Sequence, residues 1–94
     1  MEAEKYKLCL YIAGKTQKSV RAINNLKKYC QEELKDLYTV EIIDLLEHPQ
    51  LAEGEQIIAV PTLIKKLPEP VRVLVGDLSD KVKVVVGLNL VRRK

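Results

Sequence analysis

The stretch Lys-Tyr-Lys-Leu-Cys-Leu-Tyr-Ile, residues 5–12, decides the architecture of this 94-residue chain. Side chains alternate between the two faces of a β-strand. One face of this strand would carry Tyr6, Leu8, Leu10 and Ile12, and the other would carry Lys5, Lys7, Cys9 and Tyr11. The stretch therefore predicts the first strand of the fold, which ends at Ala13-Gly14.

A long amphipathic helix is predicted directly after this strand. Thr16 or Ser19 can cap its N-terminus, and an apolar stripe then recurs at three- and four-residue spacing: Val20, Ile23, Leu26, Cys30, Leu34 and Leu37. Residues 38–45 predict a second strand. A strand–helix–strand unit of this length implies two parallel strands with a right-handed crossover. The N-terminal half is therefore predicted to be a βαβ unit.

Prolines and glycines divide the second half of the chain into shorter elements. Pro49 suits the first position of a short helix over residues 49–57, and strands are predicted over 60–64 and 71–75. The last segment, 80–91, fits two templates. As a helix capped by Asp77 or Ser79, its apolar stripe is Val82, Val85, Val86 and Leu90; as a strand, one face carries Val82, Val84, Val86, Leu88 and Leu90.

The composition of residues 80–91 leaves both conformations open. Five valines, one glycine and one asparagine cost a helix about 4–5 kcal/mol relative to alanine. The total stability of a protein is only about 5–15 kcal/mol. Two packings of this half can then lie within a few kcal/mol of each other, which is the condition for fold switching. The alternative is a plain amphipathic C-terminal element.

Length and composition indicate one globular domain over residues 1–94. The chain has a mass of 10.7 kDa, with 47% hydrophobic and 31% charged residues, which is typical of a folded domain. No apolar run reaches the roughly 20 residues of a transmembrane helix, and the N-terminus lacks the pattern of a signal peptide. A cytoplasmic protein is expected.

Charge is unevenly distributed along the chain. Residues 1–30 have a net charge of +5, residues 31–60 of −7 and residues 61–94 of +5. Such segregation suits association with a partner or with further copies of the chain, unless the three segments mix on the folded surface. Nucleic-acid binding is a weaker alternative, because the overall charge of +3 is mild and no aromatic stacking platform is evident.

Residues that carry catalytic chemistry are sparse. Cys9 and Cys30 are too far apart for a Cys-x-x-Cys pair, so each is expected in the core. His48 precedes a proline with no second histidine or cysteine nearby, which argues against a metal site. Val60-Pro61-Thr62 resembles the cis-proline loop of thioredoxin-like domains, but without the catalytic cysteines. A thiol-redox protein on this scaffold is the alternative function.

The chain as a whole resembles the KaiB family, which comprises small clock proteins that bind the ATPase KaiC. Matching stretches run in order through most of the sequence: Leu10-Tyr11-Ile12-Ala13-Gly14, Ser19-Val20-Arg21-Ala22, Val40-Glu41-Ile42-Ile43-Asp44, Pro49-Gln50-Leu51-Ala52, Val60-Pro61-Thr62-Leu63, Leu67-Pro68-Glu69-Pro70-Val71-Arg72 and Gly76-Asp77-Leu78-Ser79. The resemblance implies an α/β, thioredoxin-like KaiB fold with a metamorphic C-terminal half.

The resemblance also implies two folded states. One has the order βαββααβ and assembles as dimers or tetramers; the other has the order βαβαββα and binds a hexameric KaiC-like ATPase. Residues 80–91 would contain a strand in the first state and form a helix in the second. Because association buries exposed apolar edges, we expect a structure to capture the assembled state.

Particular residues are implicated by the same resemblance. Partner binding is expected at the 49–57 helix and the loop that follows it, through Tyr6, Gln50, Gln56, Ala59, Pro61 and Lys65. Fold switching is expected to involve proline isomer changes and the last element, through Pro61, Pro68, Pro70, Gly87 and Asn89. The family implies no enzymatic activity, no cofactor and no metal.

Three residues depart from the family pattern. Gln56 replaces a usual lysine, and Asn89 replaces an acidic residue. Glu41 replaces a basic residue on the strand that would receive KaiA, so the resemblance does not carry KaiA binding over to this chain. The implied role is regulatory, in circadian timing or stress adaptation. The KaiB-like sensor domain of a KaiC-binding histidine kinase is a further alternative.

Overall fold

A computed structural model describes residues 5–35, 37–55, 57 and 59–90. Four strands form one mixed sheet in the order β2-β1-β3-β4. Strand β1 is parallel to β2 and antiparallel to β3, which in turn is antiparallel to β4. The elements are β1 Tyr6–Ile12, α1 Gln17–Glu33, β2 Tyr38–Asp44, α2 Gln50–Glu55, β3 Thr62–Leu67, β4 Arg72–Val75 and α3 Lys81–Gly87.

Strand β1 lies in the middle of the sheet, and its alternating side chains divide the core as predicted. On the face that we call the core face, they pack with residues of α1 and α3 in the larger cluster, which includes Leu8, Leu10, Leu26, Leu63, Val84 and Leu88. On the opposite face, which we call the second face, Cys9 and Tyr11 form a smaller cluster with Ile64. The parallel pairing of β1 with β2 confirms the predicted βαβ unit.

Helix α1 begins at the predicted cap but ends earlier than residue 37. The hydroxyl of Thr16 accepts a hydrogen bond from the backbone N–H of Ser19 at 3.1 Å, so Thr16 is the N-cap and Leu34 is the C-cap. The predicted position of Val20 in the buried stripe is wrong, since its exposed fraction is 42%. The buried side of the helix centres on Leu26. Val20 lies six residues before Leu26, which is a rotation of about 240° around the helix axis, so its side chain lies on a different side of the helix.

Strand β3 begins two residues later than predicted. Ala59 and Val60 lie in a bend, and pairing starts at Thr62 and continues to Leu67. The peptide bond between Val60 and Pro61 is cis, as the resemblance to the cis-proline loop implies. Strand β4 forms one edge of the sheet, and Val73 and Val75 on its second-face side are each 56% exposed.

The last segment is a helix, but its predicted cap is wrong and its predicted stripe holds only in part: Val85 and Leu90 pack in the core cluster, whereas Val82 and Val86 do not. Asp80, rather than Asp77 or Ser79, caps α3 by accepting from the N–H of Lys83 at 3.1 Å. The helix buries Val84 and the adjoining Leu88, while Val82 and Val86 are 71% and 72% exposed. Val84 lies on the side of α3 that faces the core cluster, and Val82 and Val86 therefore face solvent.

The order of elements corrects the expectation that a structure would capture the assembled state. The chain follows βαβαββα, the order that the resemblance implies for the partner-binding state. Helix α3 can form in one copy of the chain because it buries Val84, Leu88 and Leu90 against its own core. We expected apolar surface to be buried between copies of the chain. In this structure the last segment buries its apolar side chains within one copy.

Candidate partner-binding interface

The loops that follow β1 and β2 are joined by Asp44. One of its carboxylate oxygens, Oδ1, accepts from the backbone N–H groups of Gly14 at 3.0 Å and Leu46 at 2.9 Å. These two hydrogen bonds, that from Gly14 first, lower the pKa of the Asp44 carboxyl. Gly14 has a φ of +75°, and a Cβ added there would lie 3.0 Å from Leu46 Cδ1. Gly14 therefore permits the close approach that fixes Leu46.

Helix α2 follows the loop after β2 and leads to Ile57, which packs on the second face. It begins at Gln50 rather than Pro49, and the backbone N–H of Ile57 donates to the carbonyl of Ala52 at 2.9 Å. The side chain of Ile57 packs against the second-face cluster. This contact leaves Gln50 and Leu51 on the outside of the helix, where Leu51 is 38% exposed.

Pro61 positions the loop between α2 and β3. Its side chain is fully buried, and its carbonyl accepts from the N–H of Gly76 at 2.9 Å, which ties the loop to the end of β4. The hydroxyl of Thr62 donates to the carbonyl of Ala59. Ala59 and Val60 are thereby held on the exposed side of the loop.

These three segments present one apolar surface, which we call the end surface. Its members are exposed at the end of the sheet where β1 and β2 finish: Leu46, Gln50, Leu51, Ala59 and Val60. Leu46 is 71% exposed; exposed Glu47 follows it directly in sequence, and exposed Glu53 lies two residues after Leu51. Exposed aliphatic side chains in acidic segments suit a protein partner whose surface is apolar and basic. Sequence reasoning missed Leu46, Leu51 and Val60, since exposure of an aliphatic side chain leaves no local signal.

Two residues expected at the binding face lie elsewhere. Tyr6 is 3% exposed and Lys65 is not exposed at all, and both project from the core face of the sheet, where the Lys65 Nζ lies 5.8 Å from the centroid of the Tyr6 ring. The Tyr6 hydroxyl donates to the carbonyl of Asn89 at 3.2 Å. Both side chains are therefore buried, and neither offers a binding surface here. Gln56 lies outside the described residues.

The predicted fold-switch residues lie in the second half of the structure. The peptide bonds before Pro61, Pro68 and Pro70 are all cis, and the last two prolines belong to the turn between β3 and β4. Gly87 is the final residue of α3, and a Cβ added there would meet Leu74 Cδ2 at 3.3 Å.

Asn89 ends helix α3. It adopts a left-handed φ of +54°, and its N–H donates to the carbonyl of Val86 at 3.1 Å, while that of Leu90 donates to Val85 at 2.9 Å. This pair of hydrogen bonds is the Schellman motif, in which asparagine is tolerated at the left-handed position. The asparagine after a valine-rich stripe is the signal that sequence reasoning could have used.

The positions of the two cysteines argue against redox chemistry. Cys9 belongs to the second-face cluster and Cys30 to the core-face cluster, so the sheet separates them. Burial raises the pKa of the Cys30 thiol to about 12, which keeps it protonated and unreactive near neutral pH. Among the residues described, no three His, Cys, Asp or Glu side chains are grouped to hold a metal ion.

Fold and interface together define a thioredoxin-like protein that lacks the thiol pair of a redox enzyme. Solved structures agree on the fold: the N-terminal domain of Synechococcus elongatus SasA matches with a TM-score of 0.75 and 23% identity, covering 92% of this chain and 83% of that one. Mitochondrial thioredoxin 3 from Saccharomyces cerevisiae matches with a TM-score of 0.72 and 15% identity, covering 92% and 78%.

The chain belongs to the KaiB family of circadian clock proteins. The KaiB domain model matches residues 9–90. The circadian clock oscillator protein KaiB of Microcystis aeruginosa is 53% identical over 85 residues, covering 90% of this chain and 82% of the relative. That of Prochlorococcus marinus subsp. pastoris is also 53% identical, covering 90% and 79%. No helix within the described ranges is long and apolar enough to cross a membrane.

Proposed function

We propose that this chain is a non-enzymatic regulatory protein that binds a KaiC-like hexameric ATPase through its end surface. Family membership supports the class of partner, and the observation that carries the proposal is the exposed apolar patch at the end of the sheet. Leu46 and Leu51 remain exposed there, whereas Leu8, Leu10, Leu26 and Leu34 of the first half are buried. Exposed aliphatic patches of this kind are typical of protein-binding surfaces.

Binding is proposed to draw on the thioredoxin-like state from an equilibrium with an assembled state of dimers or tetramers. Only the fraction of molecules in the competent state binds, so the apparent affinity falls with that fraction. The role in the cell is proposed to be circadian timing or stress adaptation. KaiA is not proposed as a partner, because exposed Glu41 on the edge strand β2 replaces the family's basic residue.

The test compares two arginine substitutions at aliphatic positions of similar exposure. Leu51→Arg changes the end surface, whereas Val20→Arg changes α1, which packs on the opposite face of the sheet; the two side chains are 38% and 42% exposed. Each purified variant is mixed with the KaiC-like ATPase of the same organism and nucleotide, and the complex is measured by size-exclusion chromatography.

We expect Leu51→Arg to weaken the complex at least tenfold, because a charge would enter an apolar contact, and Val20→Arg to bind as the unchanged chain does. Equal binding by both variants would remove the end surface from the proposal. If the unchanged chain forms no complex with the ATPase, the proposal that a KaiC-like ATPase is its partner is wrong.

A thiol-redox function has no support from the geometry. Reduction of an exposed substrate disulfide needs a reactive thiolate at the surface, and Cys9 and Cys30 are both buried. An insulin-reduction assay is expected to show no activity above the rate without protein.

A further inference from the structure

Helix α1 carries a line of polar side chains that faces the segment leading into α3. These residues follow one another at three- and four-residue spacing, so they lie along one side of the helix: Arg21, Asn25, Tyr29 and Glu32. We call them the polar line, and we call residues 77–81 the hinge segment. The polar line was not predicted, because the prediction for α1 rested on its apolar periodicity alone.

The polar line contacts every second residue of the hinge segment. At Asp77, Arg21 Nε donates to the carboxylate at 3.2 Å and Asn25 Nδ2 donates to the backbone carbonyl at 3.0 Å. The Tyr29 hydroxyl donates to the carbonyl of Ser79 at 3.3 Å. At the end of the segment, Lys81 Nζ lies 3.0 Å from Glu32 Oε1.

The hinge segment needs such support because its backbone is strained. Leu78 has a φ of +62°, in the left-handed region that a leucine rarely adopts. Its side chain is 6% exposed, so burial offsets part of the cost. Asn25 and Tyr29 bind the carbonyl groups of the residues on either side of Leu78. These two hydrogen bonds therefore hold the bend itself.

Hydrogen bonds to backbone carbonyl groups depend on the conformation of the hinge segment, whatever its side chains are. A helix advances about 1.5 Å per residue and a strand about 3.3 Å. A strand that includes residues 80 and 81 would therefore move Lys81 away from Glu32. The contacts of the polar line thus fit the conformation in which α3 follows the hinge segment.

We propose that the polar line selects the thioredoxin-like state by holding the hinge segment in the bend from which α3 begins. This inference rests on the two-state equilibrium of the proposed function. It adds that the contacts between the polar line and the hinge segment set the position of that equilibrium. The polar line belongs to the half of the molecule that keeps its βαβ structure in both states.

The test removes the two hydrogen bonds to the backbone and leaves the apolar core intact. The variant is Asn25→Ala with Tyr29→Phe; the matched control is Asn24→Ala with Tyr38→Phe, whose residues make no hydrogen bond to the hinge segment. The ratio of the thioredoxin-like to the assembled state is measured by NMR at fixed protein concentration without any ATPase, so that its result is independent of partner binding.

The expected result is a ratio about ten- to thirtyfold lower in the variant than in the control, because each neutral hydrogen bond contributes a factor of about five. An equal ratio in the two proteins would overturn the proposal, and so would an unchanged chain that shows a single state.

Hydrogen exchange gives a second measurement that separates selection from general loss of stability. In the variant, the α3 amide groups of Val84 and Val85 should exchange about tenfold faster, while those of β1 keep the rate of the control. Faster exchange in β1 to the same degree would show that the variant only weakens the whole fold, and it would contradict the proposal. The single change Tyr29→Phe, which keeps the buried ring, is expected to give the same pattern at about fivefold.

Discussion

The two halves of the molecule are stabilised by different interactions. In the first half, β1 is buried on both faces and α1 places Leu26 and Cys30 in a core where neither is exposed. In the second half, α3 leaves Val82 and Val86 in solvent, and β4 exposes Val73 and Val75. The outer elements of the second half thus keep several valines at the surface.

This difference bears on the proposed two-state equilibrium, in which the second half changes its conformation and the first half keeps its βαβ structure. Apolar burial in the first half leaves only one face of α1 that can meet the sheet. The second half combines the burial of Val84, Leu88 and Leu90 with polar contacts between α1 and the hinge segment, each worth little by itself, and it keeps apolar side chains that another packing could bury. Changes in the first half should therefore affect every state, and changes in the second half should affect the balance between states.

The largest effect is expected from Leu26→Ala. Leu26 is fully buried in α1, and removing such a side chain leaves a cavity that lowers the free energy of unfolding by about 2–5 kcal/mol. Urea denaturation followed by circular dichroism measures this loss. The matched change Val86→Ala removes a side chain that is 72% exposed and should leave the free energy of unfolding nearly unchanged. Similar losses for the two variants would contradict the distinction between the halves.

A smaller effect is expected at the end of α3. Asn89→Val places a β-branched residue at a φ of +54°, which costs about 1–2 kcal/mol, whereas Asn89→Gly relieves the same conformation. NMR should show the population of the thioredoxin-like state falling in the first variant and rising in the second. A fall in both would mean that the asparagine side chain itself is required.

Gly87→Ala should favour the thioredoxin-like state by up to about 1 kcal/mol, because alanine forms helices more readily than glycine. The added Cβ would lie 3.3 Å from the end of the Leu74 side chain, so a small shift of Leu74 reduces the gain. The ratio of the thioredoxin-like to the assembled state, measured by NMR, gives the size of this gain. A lower population of the helical state would show that the contact with Leu74 outweighs the helix propensity.

The smallest effect is expected from pH, because the groups involved are exposed. The Ser79 hydroxyl and backbone N–H, followed by Arg21, lower the pKa of Asp77; the stability it contributes is present above its ordinary pKa near 3.8 and is lost as the pH falls below it. Glu32 raises the pKa of Lys81 above 10.5, so that contribution is lost as the pH rises through the raised value.

The α3 amide groups should therefore exchange faster at both extremes of pH. Hydrogen exchange measured at pH 3, 7 and 11, with rates corrected for intrinsic chemistry, checks this expectation. Asp77→Asn removes the acid dependence of Asp77 but keeps its shape, so it serves as the control. Acid sensitivity that persists in Asp77→Asn would show that a carboxyl group other than Asp77 is responsible.

The fold of the first half could be predicted from local patterns, and that of the second half only in part. The alternation in β1 and the periodicity of α1 have a single interpretation, since both elements bury one complete face. For residues 80–91 the apolar side chains satisfy a helix and a strand equally. Selection of Val84 over Val82 depends on contacts with β4 and α1, which the segment itself does not encode.

The candidate interface was predictable as a region but not as a set of side chains. The helix after β2 and the loop through Pro61 were both expected, and Gln50 and Ala59 lie exposed there. Tyr6 and Lys65 were expected at the binding face, but both are buried, and a lysine on a strand carries no local sign that it will be buried. Burial of a charged group is decided by tertiary packing alone.

The central position of β1 has a consequence for how each molecule is made. The strand lies at the N-terminal end of the sequence and pairs first with β2, whose register runs from Tyr38 to Asp44, so the ribosome releases this whole unit before it releases α3. Chains generally fold from the N-terminus during synthesis. Under the proposed two-state equilibrium, the last segment would therefore take one of its two conformations after α1 and its polar line have formed.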